Sequence, residues 1–336
     1  MKQYLITSAD GIDAIERNEA EKPKPKPDEI LVKLRANSLN YRDLVIPVGG
    51  YLRNDKCPVV PLSDGAGDVV EIGSDVTDFS IGDRVAGNFF QDWTKGTLLD
   101  KEIDSSLGGG IDGTLAEYVT FKQKAAVHIP DHLNYEEAAT LPCAALTAWH
   151  ALQKGNLKAG DKVLLLGTGG VSMFGLQFAK AQGAHVIMTS SSDEKLAKAK
   201  ALGADEGINY KTHPEWSEKV MELTNGQGVD NVLEIGGETT LLHSFSSTRV
   251  GGTISLIGLR SGADLPMNLV PALRLQTIQG IYVGSTEMFI EMNKAISQHK
   301  IKPVIDRSFA FDEAKAAYHH LQSANHIGKV VITHDA

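Results

Sequence analysis

Runs of consecutive apolar residues alternate with helical patterns through the second half of the chain. DKVLLLG (161–167) and HVIMTS (185–190) are apolar enough for buried strands, and VSMFGLQFAKAQG (171–183) between them has helical periodicity. The further predicted elements are a helix at 134–153 interrupted by Pro142, a helix at 192–204, and strands at 229–237 and 251–258. Alternating strands and helices predict an α/β fold with a parallel, doubly wound sheet.

The two ends of the chain follow a different pattern, rich in short strands and turn residues. EILVKLRAN (29–37) and GAGDVVEIG (65–73) are typical of strands, and GKVVIT (328–333) closes the chain as another. Residues 90–113 have many glycines and little periodicity. Loops of this length are uncommon inside compact domains and often border a site, so we expect this excursion to do the same.

Length and composition narrow the class of protein. A chain of 336 residues exceeds one average domain, so two domains are expected. The net charge of −9 argues against a nucleic-acid surface. The chain has two cysteines, Cys57 and Cys143, which argues against a disulfide framework and fits a reducing compartment. No apolar stretch reaches membrane-spanning length, so we predict a cytoplasmic protein without a membrane partner.

The turn between the first buried strand and its helix nearly fits G-x-G-x-x-G. Gly167 and Gly169 take the first two places, and Ser172 takes the third. Such a turn directs backbone N–H groups and the positive end of a helix at a phosphate. The third glycine mainly lets helix and strand pack closely, so a serine there weakens the pattern without removing it. We therefore predict a dinucleotide site at residues 167–171.

The end of the second strand indicates which dinucleotide binds. NAD-specific sites usually place Asp or Glu there to bind the ribose hydroxyls. Here Ser190 takes that place, and Lys195 follows in the next helix. A carboxylate would repel a 2′-phosphate, whereas serine can donate to it and lysine adds a cation. This combination favours NADP(H) over NAD(H), although Lys195 taken alone is typical of a solvated helix residue.

Several motifs in their order along the chain resemble those of the medium-chain dehydrogenase/reductases. The motifs are NSLNYRDL, VGGY, GAGDVVEIG, IGDRV, LPCAALTAWHAL, GDKVLLLGTGGVSMFGLQFAKAQGA, KLAKAKALGAD and INY. The resemblance covers essentially the whole chain. It implies a GroES-like, β-rich catalytic domain made of residues 1–125 and 285–336. It also implies a Rossmann domain at 126–284, with the cofactor in the cleft.

Within that family the resemblance implies a zinc-free site. Zinc-dependent members have a cysteine where this chain has Asn40, and His-Glu where it has Ser63-Asp64; only Cys143 matches a family ligand. A catalytic zinc needs three protein ligands and an open position, so one cysteine cannot hold it. Residues 88–112 contain no cysteine, so the structural zinc lobe is missing as well. Cys143 taken alone is also typical of a small buried apolar residue.

The zinc-free branch, which includes NADPH:quinone oxidoreductases and enoyl reductases, is the closer match. Its pattern N-x-x-D…G-x-Y falls on Asn40, Asp43 and Tyr51, although Pro47 stands where the branch usually has arginine. The resemblance makes Tyr51 the candidate proton donor, with an aromatic wall of the cleft as the alternative. Asn40 is expected to orient nicotinamide or substrate. The cofactor-binding residues implied are Asn40, Thr147, Gly167, Thr168, Gly169, Gly170, Val171, Ser190, Lys195, Tyr210 and Gly258.

Three aromatic residues of the long excursion, Phe89, Phe90 and Trp93, are candidates for the substrate pocket because they could stack on a flat acceptor. A small core within the loop is the equally good alternative. The run QTIQGIYVG (276–284) is a late β-like segment. In relatives this edge strand pairs with its counterpart, so the resemblance implies a homodimer through the Rossmann edge.

Together these features predict a zinc-independent, NADPH-dependent oxidoreductase. Hydride would pass from nicotinamide C4 to a small-molecule acceptor, either a quinone or an α,β-unsaturated carbonyl compound. The delocalised enolate or phenolate that results needs less electrophilic help than an alkoxide. Two alternatives remain open at this point: an alcohol or aldehyde dehydrogenase of the same fold, and a non-catalytic NADPH-binding protein.

Overall fold

The computed structural model describes residues 1–51, 57–262 and 273–334. The chain forms two compact units. Met1–Leu146 and Val283–Ala336 make the first unit, and Thr147–Tyr282 make the second. The chain therefore enters the second unit at residue 147, whereas the sequence placed this boundary at 126. The reason is that Ala126–His128 is a strand of the first unit, paired antiparallel with Arg84–Gly87.

The strands form separate sheets in the two units. In chain order they are β1 Lys2–Ile6, β2 Ile15–Glu19, β3 Glu29–Leu39, β4 Asp64–Ile72, β5 Arg84–Gly87, β6 Tyr118–Lys122, β7 Ala126–His128, β8 Lys162–Leu165, β9 His185–Ser190, β10 Glu206–Asn209, β11 Val229–Glu234, β12 Thr248–Leu256, β13 Thr277–Gly280, β14 Ile305–Ala310 and β15 Lys329–Thr333.

The helices are mostly short in the first unit and longer in the second. In chain order they are α1 Tyr41–Val45, α2 Asp100–Ile103, α3 Tyr135–Ala139, α4 Leu146–Lys154, α5 Gly170–Ala181, α6 Asp193–Ala201, α7 Trp216–Leu223, α8 Leu241–Ser247, α9 Thr286–His299 and α10 Ala314–Gln322. The helix predicted at 134–153 is α3 and α4 joined by a π-helical turn at Leu141–Ala145 that contains Pro142. None of the helices in the described ranges is long and apolar enough to cross a membrane.

The second unit contains the predicted doubly wound sheet. Its strand order is β10-β9-β8-β11-β12-β13, and every pair is parallel. This is the strand order of a Rossmann fold, in which the order reverses beside the first strand, β8. Strands β8, β9 and β11 are buried because helices cover the sheet, which explains their continuous apolar runs. The predicted fold class is therefore confirmed.

The first unit is built on a mixed sheet with the order β14-β15-β3-β4-β5-β7, and β6 also pairs with β3. Strand β3 runs antiparallel to β4, β6 and β15. In register, Leu39 lies opposite Val330, and Ser38 lies opposite Asp64. The carboxyl end of β3 therefore meets the amino ends of β4 and β15, which brings together polar residues that are far apart in sequence.

Candidate active site

The glycine-rich turn follows β8 and leads directly into α5. Gly167 has a φ of +70°, a left-handed conformation that glycine adopts most easily. Gly169 is the N-cap of the helix in extended backbone, and a Cβ built on it would meet nothing within 4 Å. The first amides of an α-helix have no acceptor within the helix. The turn thus combines open space at Gly169 with backbone donors, as a phosphate-binding turn requires.

Ser172, the residue that departs from the glycine pattern, has a structural role here. Its side chain is buried, and its Oγ donates a hydrogen bond of 2.6 Å to the Leu166 carbonyl at the end of the strand. Close packing of helix on strand occurs one turn later. A Cβ on Gly175 would lie 3.0 Å from Leu165 and 3.1 Å from Leu233. The serine therefore strengthens the turn, and Gly175 supplies the close helix–strand contact.

The residues predicted to select the cofactor are Ser190, which is the last residue of β9, and Lys195 and Tyr210, which lie in the segments that follow. Ser190 is buried and pairs in register with Asn209, and the Tyr210 amide donates to the Ser190 carbonyl at 3.0 Å. Lys195 lies in the first turn of α6, where its amide is capped by the Ser192 hydroxyl. Asp193 is the first acidic residue after Ser190 in the sequence, and its carboxylate accepts a 2.8 Å hydrogen bond from Asn209 Nδ2.

A buried glutamate that the sequence reasoning missed shapes the neighbouring loop. Glu234 ends β11, and its side chain is fully buried. Its Oε1 accepts from the amides of Gly236 and Gly237 and from the Thr240 hydroxyl, at 2.7, 3.1 and 2.6 Å. Its Oε2 accepts from Ser244 Oγ. The sequence did contain a signal for this residue: a glutamate at the end of an apolar strand, two residues before a pair of glycines.

Two further predicted cofactor residues, Gly258 and Thr147, also lie in the second unit. A Cβ on Gly258 would come within 2.6 Å of the Ile235 carbonyl, so this position needs glycine. Because all strands of this sheet are parallel, the loops after β8, β9, β11 and β12 lie at the same end of the sheet, where the strands have their carboxyl ends. Gly258 follows β12 and lies in one of these loops. Thr147 is buried near the start of α4.

The first unit contains a polar cluster formed by four buried residues, Asn40, Ser63, Asp64 and Lys329, together with the partly buried Cys143. Lys329 begins β15, and its ammonium Nζ donates to the Leu39 carbonyl at 2.6 Å and to Asn40 Oδ1 at 2.5 Å. The residue is only 3 % exposed. Burial lowers the pKa of Lys329, and the Asp64 carboxylate opposes that change. The sequence reasoning missed this lysine.

Asp64 lies within the same cluster and is fully buried. Its Oδ1 accepts from Ser63 Oγ at 2.7 Å, and its Oδ2 accepts from the Cys143 amide at 3.3 Å. Burial raises the pKa of Asp64, and the charge of Lys329 is the largest influence in the opposite direction. The Cys143 amide belongs to the π-helical turn, a kind of irregularity that often occurs at functional sites.

The cluster does not fit a catalytic zinc ion. Its only sulfur is that of Cys143, whereas a catalytic zinc needs three protein ligands and an open position. Asn40 Oδ1, the amide oxygen that could face a metal, already accepts from the Lys329 ammonium. No group of three or more His, Cys, Asp or Glu side chains suited to a metal occurs within 1–51, 57–262 and 273–334.

Asp43, which the family pattern pairs with Asn40, stabilises the start of α1. Its Oδ2 accepts from the Asn40 amide at 2.7 Å, in a capping box. Burial raises the pKa of Asp43 to about 6, with the neighbouring Arg42 acting in the opposite direction. Asp43 therefore fixes the backbone that carries Asn40.

The candidate proton donor and the pocket aromatics differ in exposure. Tyr51 is 54 % exposed and has a φ of +59° after the Gly49–Gly50 turn. In contrast, Phe89, Phe90 and Trp93 are buried, with ring centroids 4.7 Å apart for Phe89 and Phe90 and 6.0 Å for Phe90 and Trp93. This packing favours the alternative of a small core within the loop over rings that stack on an acceptor.

Comparisons with known proteins agree with the fold of both units. The alcohol dehydrogenase GroES-like domain family matches residues 26–131, and the zinc-binding dehydrogenase family matches residues 170–298. A zinc-type alcohol dehydrogenase-like protein of Schizosaccharomyces pombe is 47% identical over 97% of this chain and 96% of its own length. A solved structure assigned as an alcohol dehydrogenase of Sinorhizobium meliloti has a TM-score of 0.92 and 41% identity, over 99% of this chain and 98% of its own.

More distant relatives are named for several activities. The 2-methylene-furan-3-one reductase of Solanum lycopersicum is 30% identical over 99% of this chain and 79% of its own length. Other relatives are named quinone oxidoreductase and NAD-dependent alcohol dehydrogenase. What all of these share is a GroES-like unit joined to a Rossmann unit across the whole chain. The chain belongs to the medium-chain dehydrogenase/reductase superfamily and is an oxidoreductase of that family.

Proposed function

We propose that this oxidoreductase is a metal-independent reductase that uses NADPH to reduce an α,β-unsaturated carbonyl compound or a quinone. The observation that carries the proposal is the buried cluster in which the Lys329 ammonium contacts Asn40 and the only thiol is Cys143. A zinc-dependent alcohol dehydrogenase needs a Lewis acid because an alkoxide carries localised charge. The relatives named 2-methylene-furan-3-one reductase and quinone oxidoreductase also support reduction of an unsaturated carbonyl compound or a quinone.

The proposed reaction is the transfer of hydride from nicotinamide C4 to the acceptor. With an enone, hydride adds to the β-carbon, the C=C bond breaks, and the electron pair moves to the carbonyl oxygen as an enolate. A proton then converts the enolate to the saturated ketone. This chain must therefore supply a donor for the oxygen and a proton for the product, and we assign these roles to Asn40 and Tyr51.

Alcohol dehydrogenation is the second candidate, because several relatives carry that name. A panel of quinones, enones, aldehydes and alcohols, with NADPH consumption or formation as the readout, separates the two. Turnover confined to enones or quinones supports the proposal. Turnover confined to alcohols and aldehydes would replace it with the second candidate.

We propose NADPH as the physiological cofactor. Ser190 takes the position of the usual ribose-binding acid, Tyr210 contacts its carbonyl through the backbone, and Lys195 follows on the next helix. A 2′-phosphate would meet hydroxyl and ammonium donors there, whereas a carboxylate would repel it. The relative named as NAD-dependent is the reason that this preference needs a direct measurement.

NADPH is expected to bind at least tenfold more tightly than NADH, a difference of about 1.4 kcal/mol. Lys195→Ala should remove much of that margin and leave NADH affinity nearly unchanged, because only the 2′-phosphate is predicted to use the ammonium. Fluorescence titration of both nucleotides provides the measurement. Lys200→Ala, on the last turn of the same helix, is the matched control. A wild-type preference for NADH would show that Ser190 and Lys195 do not select the 2′-phosphate.

We also propose that two copies of the chain associate through β13. This strand ends the six-stranded sheet, and Ile278 within it is 41 % exposed, with Tyr282 shortly after it 52 % exposed. Within the described ranges no strand pairs with the outer edge of β13, and a two-fold axis that paired two such edges would extend both sheets. Sedimentation should detect a dimer at micromolar concentration. A monomer throughout that range would contradict this assignment.

A further inference from the structure

Glu234 is a buried acid whose hydrogen bonds come from one loop and from the helix that follows it. The side chain is fully buried. Four uncharged donors meet its carboxylate: the amides of Gly236 and Gly237 and the hydroxyls of Thr240 and Ser244. A carboxylate buried without such partners is costly, so this network favours the one conformation in which the donors converge. Glu234 therefore holds residues 235–240, which we call the β11 loop, in a single conformation.

The β11 loop is in turn hydrogen-bonded to residues 257–262, which we call the β12 loop. The Ile257 amide donates to the Glu234 carbonyl at 2.8 Å. The Gly236 carbonyl accepts from both the amide and the hydroxyl of Ser261, at 2.8 and 2.9 Å. A change in the conformation of the β11 loop would therefore disturb the β12 loop as well.

Ile235, the first residue of the β11 loop, packs beside both the β12 loop and the glycine-rich turn. Its Cδ1 lies 3.7 Å from the position that a Cβ on Gly167 would take, and its carbonyl oxygen lies 2.6 Å from the corresponding position on Gly258. The three segments are neighbours because β8, β11 and β12 are adjacent and parallel. The β11 loop thus borders the turn that is predicted to bind the pyrophosphate.

The strand order indicates which half of a dinucleotide would reach these two loops. In a doubly wound sheet, the two halves of the dinucleotide lie on either side of the point where the strand order reverses. Here β9, which ends at Ser190, lies on one side of β8, and β11 lies on the other. Because the adenosine half is expected on the β9 side, the nicotinamide half is expected at the carboxyl ends of β11 and β12.

We propose that Glu234 is a positioning residue for the nicotinamide half of the cofactor. The side chain is too deeply buried to touch the cofactor, so it acts through the backbone of the β11 loop and, through that, of the β12 loop. A site that is already ordered loses less conformational freedom on binding, which raises its affinity for the ligand. This inference rests on the proposed use of NADPH and does not depend on which acceptor is reduced.

Three variants and one control separate this role from general stabilisation. Glu234→Leu removes every acceptor of the side chain, whereas Glu234→Gln keeps an oxygen and adds a donor for the Ser244 hydroxyl, which can also accept. Ser261→Ala removes one link between the two loops at a partly exposed residue, so it tests the same connection even if Glu234→Leu does not fold. Asp205→Leu is the control, because Asp205 also accepts from a backbone amide, that of Val186, but precedes β10 at the opposite end of the sheet.

The measurement is the Kd of each protein for NADPH and for adenosine 2′,5′-bisphosphate, which lacks the nicotinamide half, with thermal unfolding of the free proteins recorded alongside. Glu234→Leu should weaken NADPH binding by about tenfold or more and Ser261→Ala by about threefold, while the Kd for the bisphosphate stays within about twofold of wild type. Glu234→Gln should keep the NADPH affinity within about threefold of wild type, because most of the hydrogen bonds are retained. Asp205→Leu should change neither Kd.

The outcomes that would overturn the proposal are distinct from those that would overturn the proposed function. Equal losses for NADPH and the bisphosphate would assign Glu234 a general structural role, and unchanged NADPH binding in the folded loop variants would remove its positioning role. If the wild type prefers NADH, the proposed cofactor is wrong, and the same comparison with NADH and AMP still tests Glu234. A wild type that binds neither dinucleotide would overturn the proposed function and this inference together, before any variant is made.

Discussion

Gly169→Ala is expected to weaken NADPH binding by about 100-fold, equivalent to about 2.8 kcal/mol, without disturbing the fold. The backbone at Gly169 has a φ of −78°, which alanine adopts readily, and an added Cβ would meet no atom within 4 Å. The methyl group would instead occupy the space that the pyrophosphate needs, because the second glycine of this turn lets phosphate approach the backbone. Equilibrium titration with NADPH, combined with thermal unfolding of the free protein, measures both effects.

Gly280→Ala is the matched control for this prediction. A Cβ at Gly280 also meets nothing within 4 Å, but this residue ends β13, which is separated from β8 in the sheet by β11 and β12. This variant should keep the NADPH affinity of wild type, whatever its effect on the pairing of β13. If Gly169→Ala bound NADPH as tightly as wild type, the turn after β8 would not be the pyrophosphate site.

Tyr51→Phe is expected to lower kcat for an enone by about 100-fold and to change kcat for a quinone only several-fold. A general acid typically contributes 10²- to 10⁴-fold, and the enolate of an enone is a stronger base than the product of quinone reduction. The substitution keeps the ring at a position whose φ is +59° and removes only the hydroxyl. Steady-state rates with both acceptors, together with the NADPH Kd, provide the measurement.

Tyr118→Phe is the control for loss of a tyrosine hydroxyl in the same unit, since Tyr118 lies on β6 beside Lys22. It should leave both rates unchanged. Small and equal losses with both acceptors after Tyr51→Phe would assign Tyr51 to the wall of the pocket. The proton would then come from water or from a cofactor hydroxyl.

The central strands of the Rossmann unit were predictable because they are buried. Continuous apolar runs, each followed by a helical pattern, determined β8, β9, β11 and β12 and the turn at Gly167 without information from distant residues. The departure at Ser172 also has a local cause, because its hydroxyl bonds the Leu166 carbonyl. The boundary between the two units was harder to predict from the sequence, because the pairing of β7 with β5 joins segments about forty residues apart.

The polar cluster could be predicted only in part. The resemblance identified Asn40, Ser63, Asp64 and Cys143, but Lys329 begins an apolar strand and in sequence is typical of a solvated strand end. Its role depends on the register that places β15 beside β3, almost three hundred residues earlier. The rings of Phe89, Phe90 and Trp93 are close together in sequence, yet the sequence could not decide whether they line a pocket or form a core within the loop. Their packing against one another favours the core.

The most direct test of metal-independent reduction is the rate of NADPH oxidation by protein whose metal content is measured in the same sample. After treatment with 1,10-phenanthroline and removal of the chelator, we expect zinc well below one atom per chain and an unchanged rate of enone or quinone reduction. Addition of zinc should not increase that rate. One zinc atom per chain, with turnover lost on chelation and restored by zinc, would show that the reaction depends on zinc and would contradict metal-independent reduction.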